Sequence, residues 1–197
     1  MSPKQTIAID LDDVLAHHAA AFVSFSNAFY GTNFTAEEYD DDWMELWGEA
    51  DREEIERRAG EFHTEEATLA YAKIEEAEPI LDELAKRYRL VIVTAREKKL
   101  IPVTHEWLNL HYNGVFQEVH FVPIWEPDNT VTKADICREI GAEFLIDDVV
   151  KHCNIAVEGG ITALLFGDYR WGNKEKDPRV IRVKDWPAVL EYFNGRE

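Results

Sequence analysis

The chain has 197 residues, 46% of them hydrophobic, and a net charge of −18. That length supports one sizeable core and at most a small second module. The charge argues against a nucleic-acid polymer or an anionic membrane as partner, though a small anion needs only local positive charge.

The first element is an apolar run of strand character, IAIDL at 7–11, and it ends among Asp10, Asp12 and Asp13. Residues 17–78 then change character: they are rich in Glu, Asp and aromatics and show no strand pattern. HHAAAFVSFSNAFYG reads as a helix closed by Gly31. Thr35 with Glu38 predicts a capping box opening a helix through EEYDDDWMELW. DREEIERRAGEFHTEEATLAYAKIEEA predicts a longer helical stretch with a break at Gly60, and Pro79 marks the return to the core. From there strands alternate with amphipathic helices. The strands are RLVIVTA (89–95), EVHFVPI (118–124), EFLIDD (143–148), TALLF (162–166) and, more weakly, VIRV (180–183). The helices are PILDELAKRY, THEWLNLHY, KADICREIGA and VKHCNIAVEGG, with Gly141 and Gly159 at helix ends. Continuous apolar strands separated by helices predict an α/β fold, a Rossmann-like parallel sheet flanked by helices. Residues 1–16 and 79–197 would form the core, and 17–78 a helical insertion over the carboxyl ends of the strands.

Ligands of open α/β sheets bind outside those carboxyl ends. Strand one ends at Asp10-Leu11-Asp12, the next at Thr94-Ala95-Arg96, and the EFLI strand at Asp147-Asp148. Lys133 follows Thr132, a predicted N-cap with Asp135 three residues on. Such carboxylates suit a hard divalent cation such as Mg²⁺, which turns their mutual repulsion into coordination. Thr94, the Ala95 amide and Lys133 suit a phosphoryl group.

These residues resemble the motifs of haloacid dehalogenase (HAD) phosphatases. Asp10-Leu11-Asp12-Asp13-Val14 is similar to the D-x-D-x-[TV] opening, with Thr94, Lys133 and Asp147-Asp148 standing for the later motifs in order. The insertion falls where a C1-type cap lies, and the opening with its compact helical cap most resembles the 5′(3′)-deoxyribonucleotidase group. The resemblance implies that Asp10 attacks phosphorus and that Asp12, with a raised pKa, exchanges a proton with the leaving oxygen and then with water. It implies Mg²⁺ held by Asp10, the Asp12 carbonyl and Asp147, with Asp148 assisting. Asp13 departs from the pattern by standing where the group carries Gly, and His18 by standing where it places an aromatic ring.

The expected substrate is a small phosphorylated metabolite, foremost a nucleoside monophosphate. A sugar phosphate, or a non-catalytic metal- and phosphate-binding module, is the alternative. Against each residue stands a plainer structural reading. Trp43 and Trp47, four apart, pack a core or stack a base, and Arg96 binds substrate or a surface partner. His18 faces substrate or lies on a helix surface, and Arg170 and Trp171 touch substrate from the 167–179 loop or belong only to an exposed loop. His105, His111, His120 and His152 read as structural, and Cys137 and Cys153 as buried thiols. The lack of a signal-peptide pattern or a long apolar run predicts a cytoplasmic location, off the membrane. The sequence is compatible with a homodimer.

Overall fold

The computed structural model describes residues 3–48, 51–123 and 128–196. In chain order it runs β1 (Thr6–Ile9), α1 (His18–Tyr30), α2 (Trp43–Trp47), α3 (Arg52–Phe62), α4 (Glu65–Leu69), α5 (Ala77–Arg87), β2 (Arg89–Thr94) and α6 (Ile101–His111). It continues through β3 (Val119–Phe121), α7 (Lys133–Glu139), β4 (Ala142–Asp147), α8 (Val150–Glu158), β5 (Thr162–Phe166), β6 (Ile181–Val183) and α9 (Trp186–Asn194). Of the expected 118–124 strand, Ile124 lies outside the described residues.

Six strands form one sheet in the order β3-β2-β1-β4-β5-β6, and every pairing is parallel. Alternate strand residues bury into two separate clusters, as a sheet covered on both faces requires. Ile7, Ile9, Leu90, Ile92 and Phe144 pack with α5, α6 and α9 on one face. Ala8, Val91, Val93 and Leu145 pack with α7 and α8 on the other. The α/β architecture read from the sequence is the one found. Among the described residues, no helix is long and apolar enough to cross a membrane.

The expected 17–78 insertion holds α1 to α4, while α5, which begins at Ala77, packs on the sheet. The chain leaves and re-enters the core at one place: the His17 amide donates to Ala72 O at 2.9 Å and the Ile74 amide to Leu15 O at 2.7 Å. The insertion's aromatic centre, Phe22, Phe62 and Tyr71, is continuous with the cluster that holds Trp107 and Ile9. Two local expectations need correction. Gly60 does not break α3, because the turn carbonyls continue their helical bonds as far as His63, and Thr64 then caps α4 through its bond from the Ala67 amide. EEYDDDWMELW is not one helix either. Glu38 accepts from the Thr35 amide to close a single 3₁₀ turn, and Asp42 starts α2 afresh by capping the Glu45 amide.

Candidate active site

β1 and β4 are neighbours in the sheet, and they are where the strand order reverses, the point at which open sheets bind ligands. The β1–β4 ladder continues to the site, since the Asp10 amide donates to Ile146 O at 2.9 Å. This register sets Asp10 beside Asp147 and Asp148. Lys133 occupies the first helical position of α7, where the Thr132–Asp135 capping box fixes the chain: the Asp135 amide donates to Thr132 Oγ1 at 3.2 Å and the Thr132 amide to Asp135 Oδ2 at 2.8 Å. Thr94 ends β2, buried.

Lys133 Nζ lies 2.8 Å from Asp10 Oδ1 and 2.7 Å from Asp147 Oδ2, with only 2% of the residue exposed. Asp147 spends its other oxygen on the Val149 amide at 2.9 Å and on His152 Nδ1 at 3.2 Å. Asp148 Oδ2 accepts from Trp171 Nε1 at 2.7 Å. Asp10, Asp147 and Asp148 each offer an oxygen within 4.8 Å of the others. Burial raises the Asp10 carboxyl to about 6, with Asp147 and Asp12 adding to the effect and Lys133 opposing it. Asp148 is pushed well above the carboxylate range by burial and by Asp147, Asp10 and Asp13. Asp147 goes the other way: burial opposes its charge, but Lys133 and His152 outweigh it and hold the carboxyl low. With all three acids ionised, one ammonium leaves two negative charges uncompensated. A buried, all-oxygen, doubly negative cluster fits a hard divalent cation.

Asp12 is engaged elsewhere. Arg96 grips it with Nη2 at 2.6 Å from Oδ1 and Nε at 3.0 Å from Oδ2, and its Nη1 donates to Thr104 Oγ1 at 3.2 Å. The guanidinium lies 5.5 Å from the Tyr71 ring centre and 6.0 Å from that of Trp107. This half-buried ion pair, in which Arg96 is buried and Asp12 partly exposed, replaces the surface partner considered for Arg96. It also reverses the expected acidities. Burial works to raise Asp12, yet Arg96 overrides it and holds the carboxyl well below its ordinary value, while Asp10 is the raised one.

Residues 4–192 match the family described as "5' nucleotidase, deoxy (Pyrimidine), cytosolic type C protein". The chain belongs to this nucleotidase family. It is 27% identical over 138 residues to "Putative nucleotidase YqfW" of Bacillus subtilis (strain 168), covering 67% of this chain and 63% of that relative's length. The fold is that of HAD hydrolases. A haloacid dehalogenase-like hydrolase, SP0104 from Streptococcus pneumoniae, superposes with a TM-score of 0.69 at 17% identity, covering 98% of this chain and 100% of that one. A predicted phosphatase from Clostridium acetobutylicum does so with 0.70 at 14%, again covering 98% and 100%.

In this nucleotidase-family chain Asp10, Asp148 and Lys133 form the floor of a cavity of about 570 Å³, roofed by the insertion. His18 and Trp43 line it, as do Arg96 and Ala95. Trp47 is not a lining residue: its indole N–H donates to Ser26 Oγ at 2.7 Å and its ring packs on Phe22. His152 lines the cavity and bonds Asp147, so it belongs to the site and not to the structural histidines. His63, Tyr39 and Tyr71 line it too, and sequence reasoning did not single them out. His63 Nε2 sits 3.5 Å from His18 Nε2, and His18 Nδ1 sits 3.6 Å from Asp13. Nothing local in the sequence marks His63 or Tyr71, because only the return of the insertion brings them to the strand ends.

Proposed function

We propose that the chain is a Mg²⁺-dependent phosphomonoesterase working through a phosphoaspartate, with deoxyribonucleoside monophosphates as its substrates. The supporting observation is the buried cluster of Asp10, Asp147, Asp148 and Lys133 at the β1–β4 switch point, opening into an aromatic-lined cavity. Family membership points the same way. Asp10 and Asp148 would hold the cation together with the Asp12 carbonyl. Asp147 has both oxygens in bonds to Lys133, Val149 and His152, which suits it to orienting its neighbours. When bound, Mg²⁺ supplies charge neutralisation to the phosphoryl oxygens.

Asp10 attacks phosphorus as its Oδ–P bond forms and the P–O bond to the leaving group breaks. Asp12 hands its proton to the departing oxygen. Water then attacks the aspartyl phosphorus and gives a proton to Asp12, and the P–O bond to Asp10 breaks to release inorganic phosphate. For Asp12 to carry that proton, Arg96 must let go of it. A phosphoryl oxygen entering beside Asp10 offers the guanidinium another anion. Lys133 and the amides after Thr94 would bind the remaining oxygens. We take helices α1 to α4 as the cap, with Trp43 and His18 against the nucleoside.

The test is phosphate release from deoxyribo- and ribonucleoside monophosphates and from sugar phosphates, in Mg²⁺ or in chelator. Turnover confined to Mg²⁺ and highest on deoxyribonucleotides is the expected result. Highest turnover on sugar phosphates would overturn the substrate assignment, and no Mg²⁺ dependence would overturn the site.

A further inference from the structure

We infer that Trp171 is a positioning residue for the divalent cation: its indole N–H fixes one oxygen of Asp148 so that the other is held ready for the metal. This rests on the reading that Asp10 and Asp148 bind Mg²⁺.

The bond itself is short, 2.7 Å from Nε1 to Oδ2, and the Trp171 ring is 3% exposed. A buried indole needs some acceptor, so the choice of acceptor carries the information. Among the described residues, Trp43 donates to Tyr39 Oη, Trp47 to Ser26 Oγ, Trp107 to Tyr71 O and Trp186 to Val14 O, all neutral. Trp171 donates to an acidic side chain, one that a bound cation would keep ionised.

The ring's direction is over-determined. Tyr169 stacks on it at 4.4 Å with 4° between the planes, and Tyr39 meets it edge-on at 4.9 Å. Tyr169 in turn donates its hydroxyl to Asp13 O at 2.8 Å, in the loop that follows the nucleophile. Arg182 from β6 ties the turn together by donating to Gly167 O and Gly172 O. At Gly167, φ is +83°, and a Cβ would stand 2.2 Å from the Tyr169 ring, so the turn is built for this one approach. A carboxylate held by a rigid donor loses less freedom when it coordinates, and loss of such an outer partner typically weakens metal binding by about 10–100-fold.

The experiment measures Mg²⁺ binding calorimetrically for the wild-type chain and for Trp171→Phe, which keeps the stack and loses the donor. Trp171→His restores a ring N–H. The expected result is a Kd weaker by about 10–100-fold in Trp171→Phe, partly recovered in Trp171→His. A lower melting temperature with an unchanged Kd would mean the ring only fills space, and would overturn the inference while leaving the site intact. A wild-type chain that binds no Mg²⁺ would overturn both the inference and the reading beneath it. Should Trp171→Phe fail to fold, the wild-type indole ¹H–¹⁵N resonance, assigned through contacts to Tyr169 and Tyr39, decides. It shifts on adding Mg²⁺ if Trp171 serves the cation, and stays still if it does not.

Discussion

Three buried carboxylates within 4.8 Å of one another repel each other, and that repulsion has a pH signature. Asp10 is raised from 3.8 to about 6 by burial first, then by its acidic neighbours. Between those values the folded chain holds a proton that the unfolded chain has lost, so this group's contribution falls as pH rises through the window. We therefore expect the stability of Asp10→Asn relative to wild type, in chelator, to be greater at pH 7 than at pH 5 by about 1 kcal/mol. Paired denaturant titrations at the two pH values check this, and the comparison cancels the groups that do not interact with Asp10. A gap that shrinks toward pH 7 would contradict the assignment. Asp13 shows a different accommodation. Its φ of 56° is a conformation that usually calls for glycine. Here the side chain compensates by accepting from the Ala19 amide at 3.0 and 3.1 Å, which opens α1. Thus the departure from the nucleotidase Gly keeps the turn and adds a helix cap.

At the scale of elements, the insertion is held by aromatic packing around Phe22 on α1. Its ring lies 5.2 Å from Tyr39, 4.6 Å from Trp43, 4.9 Å from Trp47 and 5.4 Å from Phe62. Two of those partners, Tyr39 and Trp43, line the cavity. Phe22→Ala should cost about 3–5 kcal/mol by denaturant titration. It should also raise KM more than it lowers kcat, since the phosphoryl end of the site stays in place. Unchanged KM would mean the insertion does not shape the substrate pocket. The strands and their terminal residues were legible because each announces itself locally, as an apolar run followed by Asp, Thr-Ala-Arg or Asp-Asp. The Thr132 capping box placed Lys133 in the same local way. The insertion's helices were less legible. Asp40, Asp41 and Asp42 compete as caps and turn formers, and Gly60 has too little cost to stop a helix whose other residues favour it. Arg96 gripping Asp12, and His63 reaching His18, arise from contacts across 84 and 45 positions, which no local pattern encodes.

For the whole molecule, the parallel order β3-β2-β1-β4-β5-β6 brings the sequence-distant acids Asp10, Asp147 and Asp148 to one crevice. A chain of net charge −18 can still receive an anion there. Lys133 and Arg96 sit at the floor, Lys151 and Lys174 at the walls, and a bound cation would add to them. Lys174 also pairs with Asp41, joining the loop after β5 to the insertion on the far side of the cavity. In the proposed mechanism phosphate passes through Asp10. The most direct measurement is an acid quench during steady-state turnover of a deoxyribonucleoside monophosphate, followed by borohydride reduction and peptide mass spectrometry. An aspartyl phosphate reduces to homoserine, and homoserine is expected at position 10 alone. Homoserine at position 12, or at no position while phosphate is being released, would contradict it.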